Sequence, residues 1–396
     1  MKIAFVSNYL SHHQIPFSDA ISSIQGVRYS FIAVCAMDNE RRTMGWRDIK
    51  KPYEIRTYTD SESENRAKEI INDADVVILG SAPDSYIIPR LKAGKLTFKY
   101  SERFYKQGLT YKNLPHAVMG AWLHHGRFQK YPLYMLCASA YTAGDAAIFH
   151  NYIGRTYKWG YFPEAKKYDV TDLMSRKLSV TSAGWKHPQA SILWAGRLIG
   201  LKHPDASIEL AASLKEKGYS FKMSIIGNGE MEAKLRNMIY EKGLSDCVEM
   251  LGSMSPEEVR LHMEKADIYL FTSDFNEGWG AVLNESMNSG CAVVASHAIG
   301  SVPFLIQDGE NGLIYENGNQ KQFQERVECL LKDSEYRKKM GVKAYESIVD
   351  VWSADIAAKR FVALSQALLK NEPADNLFAK GPCSRAVILK NDWYSY

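Results

Sequence analysis

Residues 273–300 read SDFNEGWGAVLNESMNSGCAVVASHAIG, and the fold class follows from how this stretch divides. Just before it, Asp267 to Thr272 (DIYLFT) is an apolar run of strand length, broken by Ser273 to Glu277. Gly278-Trp279-Gly280 opens a helix expected to end near Ser289-Gly290, and Cys291 to Ala295 (CAVVA) reads as a fully buried strand. Strand, loop, helix and strand in that order make the unit of a parallel sheet.

Two glutamates bracket the helix, Glu277 before it and Glu285 inside it. Along a helix that spacing covers at most about 12 Å. Gly278 and Gly280 carry no Cβ, so a ligand can approach the backbone closely. Unpaired N–H groups and the positive end of the helix dipole favour an anion at the same place. Glu277 is therefore unsuited to hold a phosphate and suited to accept from sugar hydroxyls, with Glu285 accepting from a ribose diol. The plainer alternative makes Glu277 a helix cap and Glu285 a solvated helix residue.

The pattern E-G-[FWY]-G, followed by E-[SA]-M-x-x-G and an apolar strand ending in Ala-Ser, resembles the E-x7-E signature of the family-4 retaining glycosyltransferases. Glu277, Gly278, Gly280, Glu285 and Gly290 carry the resemblance, with the downstream Asp308-Gly309-x-Asn311-Gly312-Leu313. It implies the GT-B fold: two Rossmann-like doubly wound α/β domains facing across a cleft, with a C-terminal helix crossing back to the first. It also implies that Glu277 touches the donor sugar and Glu285 the ribose, with Trp279 beside them in the donor pocket.

The rest of the chain fits two such domains. A length of 396 residues exceeds one ordinary domain. In the first half, Lys2 to Ser7, Ser30 to Cys35, Asp75 to Gly80, Leu96 to Ser101, Leu133 to Ser139 and Thr156 to Gly160 are strand-like runs between helical patterns. Glu164 to Pro188 is polar and reads as an irregular linker. The alternation restarts at Ser191 to Ala195, Phe221 to Ile226 and Val248 to Leu251, and the last third is helical. The expected division is 1–165 for acceptor binding, 166–190 for a linker, 191–350 for the nucleotide-sugar, and 351–396 for the crossover helix and tail.

Composition excludes several classes. The formal charge of +4 is too small to call for nucleic acid, and no apolar run reaches a membrane span. Six scattered cysteines make neither a disulfide framework nor a metal cluster, and MKIAFVSNYL, which enters a strand at once, sets the expectation of no signal peptide. A cytoplasmic protein is expected, needing no metal or other cofactor beyond its nucleotide-sugar co-substrate. No G-x-G-x-x-G follows the first strand of either half, which counts against a dehydrogenase.

Other residues extend the site. Gly196-Arg197-Leu198-Ile199-Gly200-Leu201-Lys202 resembles the family's G-R-L-x-x-x-K element, which implies that Arg197 and Lys202 stabilise a leaving diphosphate. Gly227, Asn228 and Gly252 close later strands and are either pocket walls or structural turns. After the first strand the family's paired glycines are missing, and Ser7 to Gln14 stands instead. There His12 or His13 either contacts a phosphate or the acceptor, or caps a helix. Glu102 either orients the acceptor hydroxyl or pairs with Arg103.

From Arg90 to Tyr134 basic and aromatic residues interleave, including Arg90, Lys99, Arg103, Lys106 and Lys112. They make either a surface for an anionic membrane at its inner face, with a glycan or lipid-linked acceptor, or an ordinary solvated face. The reading is hexose transfer with retention in surface or capsule polysaccharide assembly. Its rivals are an epimerase or inverting transferase on the same fold, and a non-catalytic nucleotide-sugar-binding subunit.

Overall fold

The apolar runs assemble as two all-parallel sheets. The computed structural model describes residues 1–38, 48–178 and 190–394. The first sheet comprises β1 (Lys2–Ser7), β2 (Arg28–Ala33), β3 (Glu54–Arg56), β4 (Val76–Leu79), β5 (Thr97–Ser101), β6 (Leu133–Cys137) and β7 (Thr156–Lys158), in the order β3-β2-β1-β4-β5-β6-β7. The second comprises β8 (Ala190–Ala195), β9 (Phe221–Ile226), β10 (Val248–Gly252), β11 (Ile268–Phe271), β12 (Ala292–Ser296) and β13 (Leu313–Tyr315), in the order β10-β9-β8-β11-β12-β13.

In each sheet the first strand is central, and the winding reverses beside it. β1 lies between β2 and β4, and β8 lies between β9 and β11. Loops leaving the carboxyl ends of such a strand pair diverge and open a crevice. In the second sheet that crevice lies beyond β8 and β11, whose register pairs Ile192 with Ile268 and Leu193 with Tyr269.

The chain divides into two units, Met1–Glu164 with Trp352–Asn391, and Ala165–Val351 with Asp392–Tyr396. The helix Ala354–Leu369 thus belongs with the first sheet. Its Phe361 packs at 5.1 Å from Phe98 and 5.6 Å from Trp159, centroid to centroid. All three rings are buried, and each contributes roughly 1.5–3 kcal/mol by leaving water.

Several expectations need correction. Within the irregular linker expected at Glu164 to Pro188, Val170–Leu178 is a helix, and its Leu173 and Met174 pack with Tyr345 of the second unit. The remainder of that linker, 179–189, lies outside the described residues. The three-residue strands β3 and β13 add to the strand-like runs expected from the sequence. Within the basic stretch, Arg90, Lys99 and Arg103 are buried and so cannot meet a membrane surface. Arg90 instead serves the backbone, reaching four carbonyl oxygens and the Thr97 hydroxyl.

Candidate functional site

At the crevice of the second sheet, the loop after β8 meets the loop after β11. Gly200–Lys202 forms one turn of 3-10 helix that brings the Lys202 ammonium onto the Glu277 carboxylate as an ion pair. Three contacts fix the two loops together. Asp274 N donates to Leu201 O at 3.0 Å, Thr272 Oγ1 to Lys202 O at 2.6 Å, and His203 Nε2 lies 3.2 Å from Asp274 Oδ2. Trp194 Nε1 donates to the same Thr272 hydroxyl at 2.9 Å, so the strand end is braced from the core side.

Ser273 Oγ donates to Glu277 Oε2 at 3.0 Å, the oxygen that also takes Lys202. The carboxylate is thereby oriented from one side, and Oε1 is left to accept from a ligand. Holding a charged acceptor in advance removes most of the cost of arranging it when a ligand arrives.

Glu285 has a different setting. It is half-buried on the helix Val282–Asn288, and no hydrogen bond among the described residues reaches its carboxylate. Burial raises its pKa above the ordinary glutamate value, offset in part by the Arg260 guanidinium. Arg260 is itself buried and donates to Asn288 Oδ1 at 2.8 Å and to Glu285 O at 3.3 Å. A partly desolvated carboxylate without a protein donor is a natural acceptor for a ligand diol.

The helix start differs from expectation. It begins at Val282, not at Gly278, and runs for seven residues. Gly280 has φ of +76°, and a Cβ there would lie 2.2 Å from Phe271 Cζ. Its lack of side chain therefore admits the Phe271 ring. Trp279 is also corrected: it is fully buried, with Nε1 donating to Asn284 Oδ1 at 2.8 Å, and it presents no ring to a donor. The helix terminus expected at Gly278 thus lies four residues further on, at Val282.

The other loops at this sheet edge are laced to one another. Gly227 has φ of +140°, and a Cβ on it would sit 1.8 Å from Gly196 O. Leu198 N donates to Asn228 O at 2.8 Å, and Gly227 N to Gly252 O at 2.8 Å. Gly196, Gly227, Asn228 and Gly252 thus form one continuous backbone wall beyond β8, β9 and β10. Arg197 is exposed on that wall.

In the first unit the structure joins two of the four expected residues through one that was missed. Tyr161 Oη donates to Glu102 Oε1 at 2.6 Å, and its ring stacks on His13 at 5.8 Å. His12 packs on His13 at 3.8 Å between ring centroids. Glu102 pairs with Lys106 at 2.7 Å, not with Arg103. Arg103 is corrected: it is buried, bonded to Asp145 Oδ1 at 3.2 Å and set over the Tyr141 ring. Tyr161 follows β7 as Glu102 follows β5 and His13 follows β1. A polar residue just past each strand end was the signal that could have found it. Among the described residues, no three His, Cys, Asp or Glu side chains converge as a metal-ligand set.

With this geometry in view, the similarities can be placed. Residues 176–347 match the family described as glycosyl transferases group 1. The amylovoran biosynthesis glycosyltransferase AmsK of Erwinia amylovora is 32% identical over 162 residues, which cover 39% of this chain and 40% of AmsK. The putative colanic acid biosynthesis glycosyltransferase WcaL of Escherichia coli is 27% identical over 183 residues, 45% of each chain. The chain therefore matches less than half the length of these relatives. Among solved structures, Anabaena HepE in complex with UDP aligns over 93% of this chain and all of that one, with TM-score 0.66 and 14% identity. The lipopolysaccharide outer core galactosyltransferase WaaB aligns over 94% of this chain and all of that one, with TM-score 0.65 and 17% identity. At these identities the structural likeness establishes the fold: two Rossmann-like units of GT-B type. The family match falls within the second unit, and it includes Arg197, Lys202, Glu277 and Glu285.

Proposed function

We propose that this chain is a retaining glycosyltransferase that moves a hexose from a nucleoside diphosphate sugar, UDP in preference to GDP, to a glycan or lipid-linked glycan in surface polysaccharide biosynthesis. The observation that carries the reading is the Lys202–Glu277 ion pair at the winding reversal of the second sheet. A sugar acceptor and a phosphate-binding cation stand together there, and a diphosphate sugar presents both groups a few bonds apart. The polysaccharide setting is supported by AmsK and WcaL, and the UDP preference by HepE.

In this reading Glu277 Oε1 accepts from hydroxyls of the donor sugar and Glu285 from the ribose diol. Lys202 and Arg197 hold the diphosphate, and Lys202 shares its protons between Glu277 and the phosphate. The bond from the anomeric carbon to the β-phosphate oxygen breaks as the acceptor oxygen attaches on the same face. The acceptor proton passes to the departing phosphate oxygen, so the step needs no second carboxylate as base. Growing charge on the diphosphate falls on fixed cations, which supply the stabilisation expected of a metal-independent site.

A thermal-shift series with UDP, GDP, their sugar conjugates and NAD tests the reading. A ligand at about 100 times its dissociation constant adds roughly 2.7 kcal/mol to the folded state. A shift with UDP compounds that is lost in Glu285→Ala supports it. A shift with NAD alone, or with no nucleotide, removes it.

The raised pKa of Glu285 gives a pH signature. Its folded pKa lies above the unfolded value, so this group's contribution to stability is full below the unfolded pKa and is lost as pH rises through the folded one. A ribose diol needs the ionised form, so ligand affinity runs the other way. UDP affinity is expected to fall, from neutral to mildly acidic buffer, at a higher pH than an ordinary glutamate would produce. Glu285→Gln should bind UDP more weakly, with a flat profile by calorimetric titration. A wild-type profile already flat over that range would contradict the assignment.

A further inference from the structure

The helix Leu114–His124 has eleven residues, of which only Ala121 is buried. Leu114, Val118 and Trp122 follow one another at intervals of four and so share a stripe, with Met119 beside it. These side chains are 43%, 48%, 58% and 62% exposed, in the order Leu114, Val118, Trp122, Met119. A helix in a water-soluble fold normally turns its apolar stripe inward. Here the stripe faces out. Ile148 and Ile153, both more than half-exposed or at half, flank a segment tied to the helix end, where Asn151 Nδ2 donates to Ala121 O and His125 Nδ1 meets Tyr152 Oη at 2.9 Å.

The charge around this face has one sign. No Asp or Glu occurs from Arg103 through Gly144, and Lys112, Arg127 and Lys130 are exposed there. The carboxylates at the borders are already paired. Glu102 holds Lys106, Asp145 holds Arg103, and Asp84 holds Lys99 at 2.5 Å and His124 at 2.9 Å.

We propose that this face docks on an anionic lipid bilayer. Trp122, Met119, Val118 and Leu114 enter the headgroup–acyl boundary, and Lys112, Arg127 and Lys130 meet lipid phosphates. A second copy of the chain is a poorer occupant, because a two-fold contact would set these cations against their own copies without a carboxylate between them. The purpose of the surface rests on the transfer reading with a lipid-linked acceptor. The helix follows β5 from its carboxyl end, where Glu102 and Tyr161 stand, so a bilayer held there presents a lipid-linked glycan to that polar cluster.

Sedimentation of the full chain with vesicles tests it. Binding is expected to equimolar phosphatidylglycerol–phosphatidylcholine vesicles and to be at least about tenfold weaker to phosphatidylcholine alone. Met119→Ser with Trp122→Ser should weaken binding by about 100-fold, since both side chains lose their partition into the bilayer. Lys112→Glu with Arg127→Glu and Lys130→Glu should abolish the preference for phosphatidylglycerol. All three proteins should keep the same thermal shift with UDP, because none of these residues touches the nucleotide site. The proposal is overturned by a wild type that does not sediment with the anionic vesicles, by serine variants that bind as well as the wild type, or by a solution dimer that the serine variants convert to monomer. Loss of the UDP shift in every protein with vesicle binding intact would remove the transfer reading and leave the docking surface standing.

Discussion

Replacing Glu277 by Gln is expected to lower turnover of the UDP-sugar by about 10²- to 10³-fold while UDP affinity changes by less than about tenfold. Gln keeps the shape of the side chain and removes its charge. The Lys202 ammonium then loses its ion-pair partner in a site where both side chains are mostly buried. The Ser273 hydroxyl loses a charged acceptor, and the sugar hydroxyls lose the strongest acceptor on offer. The nucleotide contacts proposed for Glu285 and Arg197 are untouched, so binding of UDP should survive. Lys202→Met is the companion variant. If the pair acts as a unit, the double variant falls little further than the worse single one, because either change alone already dismantles the arrangement. Steady-state rates on the donor that gives the thermal shift decide the matter. A Gln variant turning over within about threefold of the parent would leave Glu277 without a role in the transfer step.

Why that pair escaped a sequence reading is a matter of topology. Lys202 and Glu277 stand 75 positions apart, and nothing local in either segment says that they touch. Each was legible as a candidate, since both follow an apolar strand and both carry the residue type the chemistry needs. What joins them is the insertion of β8 between β9 and β11, a property of the whole sheet. The strands of the second sheet were readable because β11 and β12 are buried on both faces and so appear as unbroken apolar runs. β3 and β13 were not, because three residues give no period to detect.

Glycine and tryptophan misled for a physical reason. In Gly278-Trp279-Gly280 the absence of Cβ signals a close approach, but not the identity of what approaches. At Gly280 it is Phe271, and at Gly227 it is the carbonyl of Gly196. The Trp279 indole reads as a platform until Asn284 is seen to take its N–H within the core. The helix Val170–Leu178 was hidden by its charged face, which outweighs the two side chains, Leu173 and Met174, that anchor it.

Arg90 makes the same point with the largest stability effect. Arg90→Leu is expected to destabilise the first unit by about 3–5 kcal/mol. The side chain is 1% exposed, and burial pulls its pKa down to about 10, which leaves it protonated at neutral pH. It joins Ile71 O and Ala74 O, at the end of the helix Ser61–Asp73, to Asp75 O ahead of β4 and Leu96 O ahead of β5. Leucine fills part of the volume and pairs none of these oxygens. Lysine reaches one or two of them, so Arg90→Lys should lie between. At roughly 2–4 °C per kcal/mol, the leucine variant should lose on the order of 10 °C in the melting of its unit. Lys112→Glu in the same basic stretch is exposed and should change stability by less than about 0.5 kcal/mol. Amide exchange separates the units: protection should fall in β4 and β5 of the leucine variant and hold in β11 and β12. Parent-like protection in β4 and β5 would mean that the guanidinium is not what holds those strand ends. Two cations 22 positions apart in one basic-aromatic stretch thus have opposite fates, and only the carbonyls converging on one of them decide which is core and which is surface.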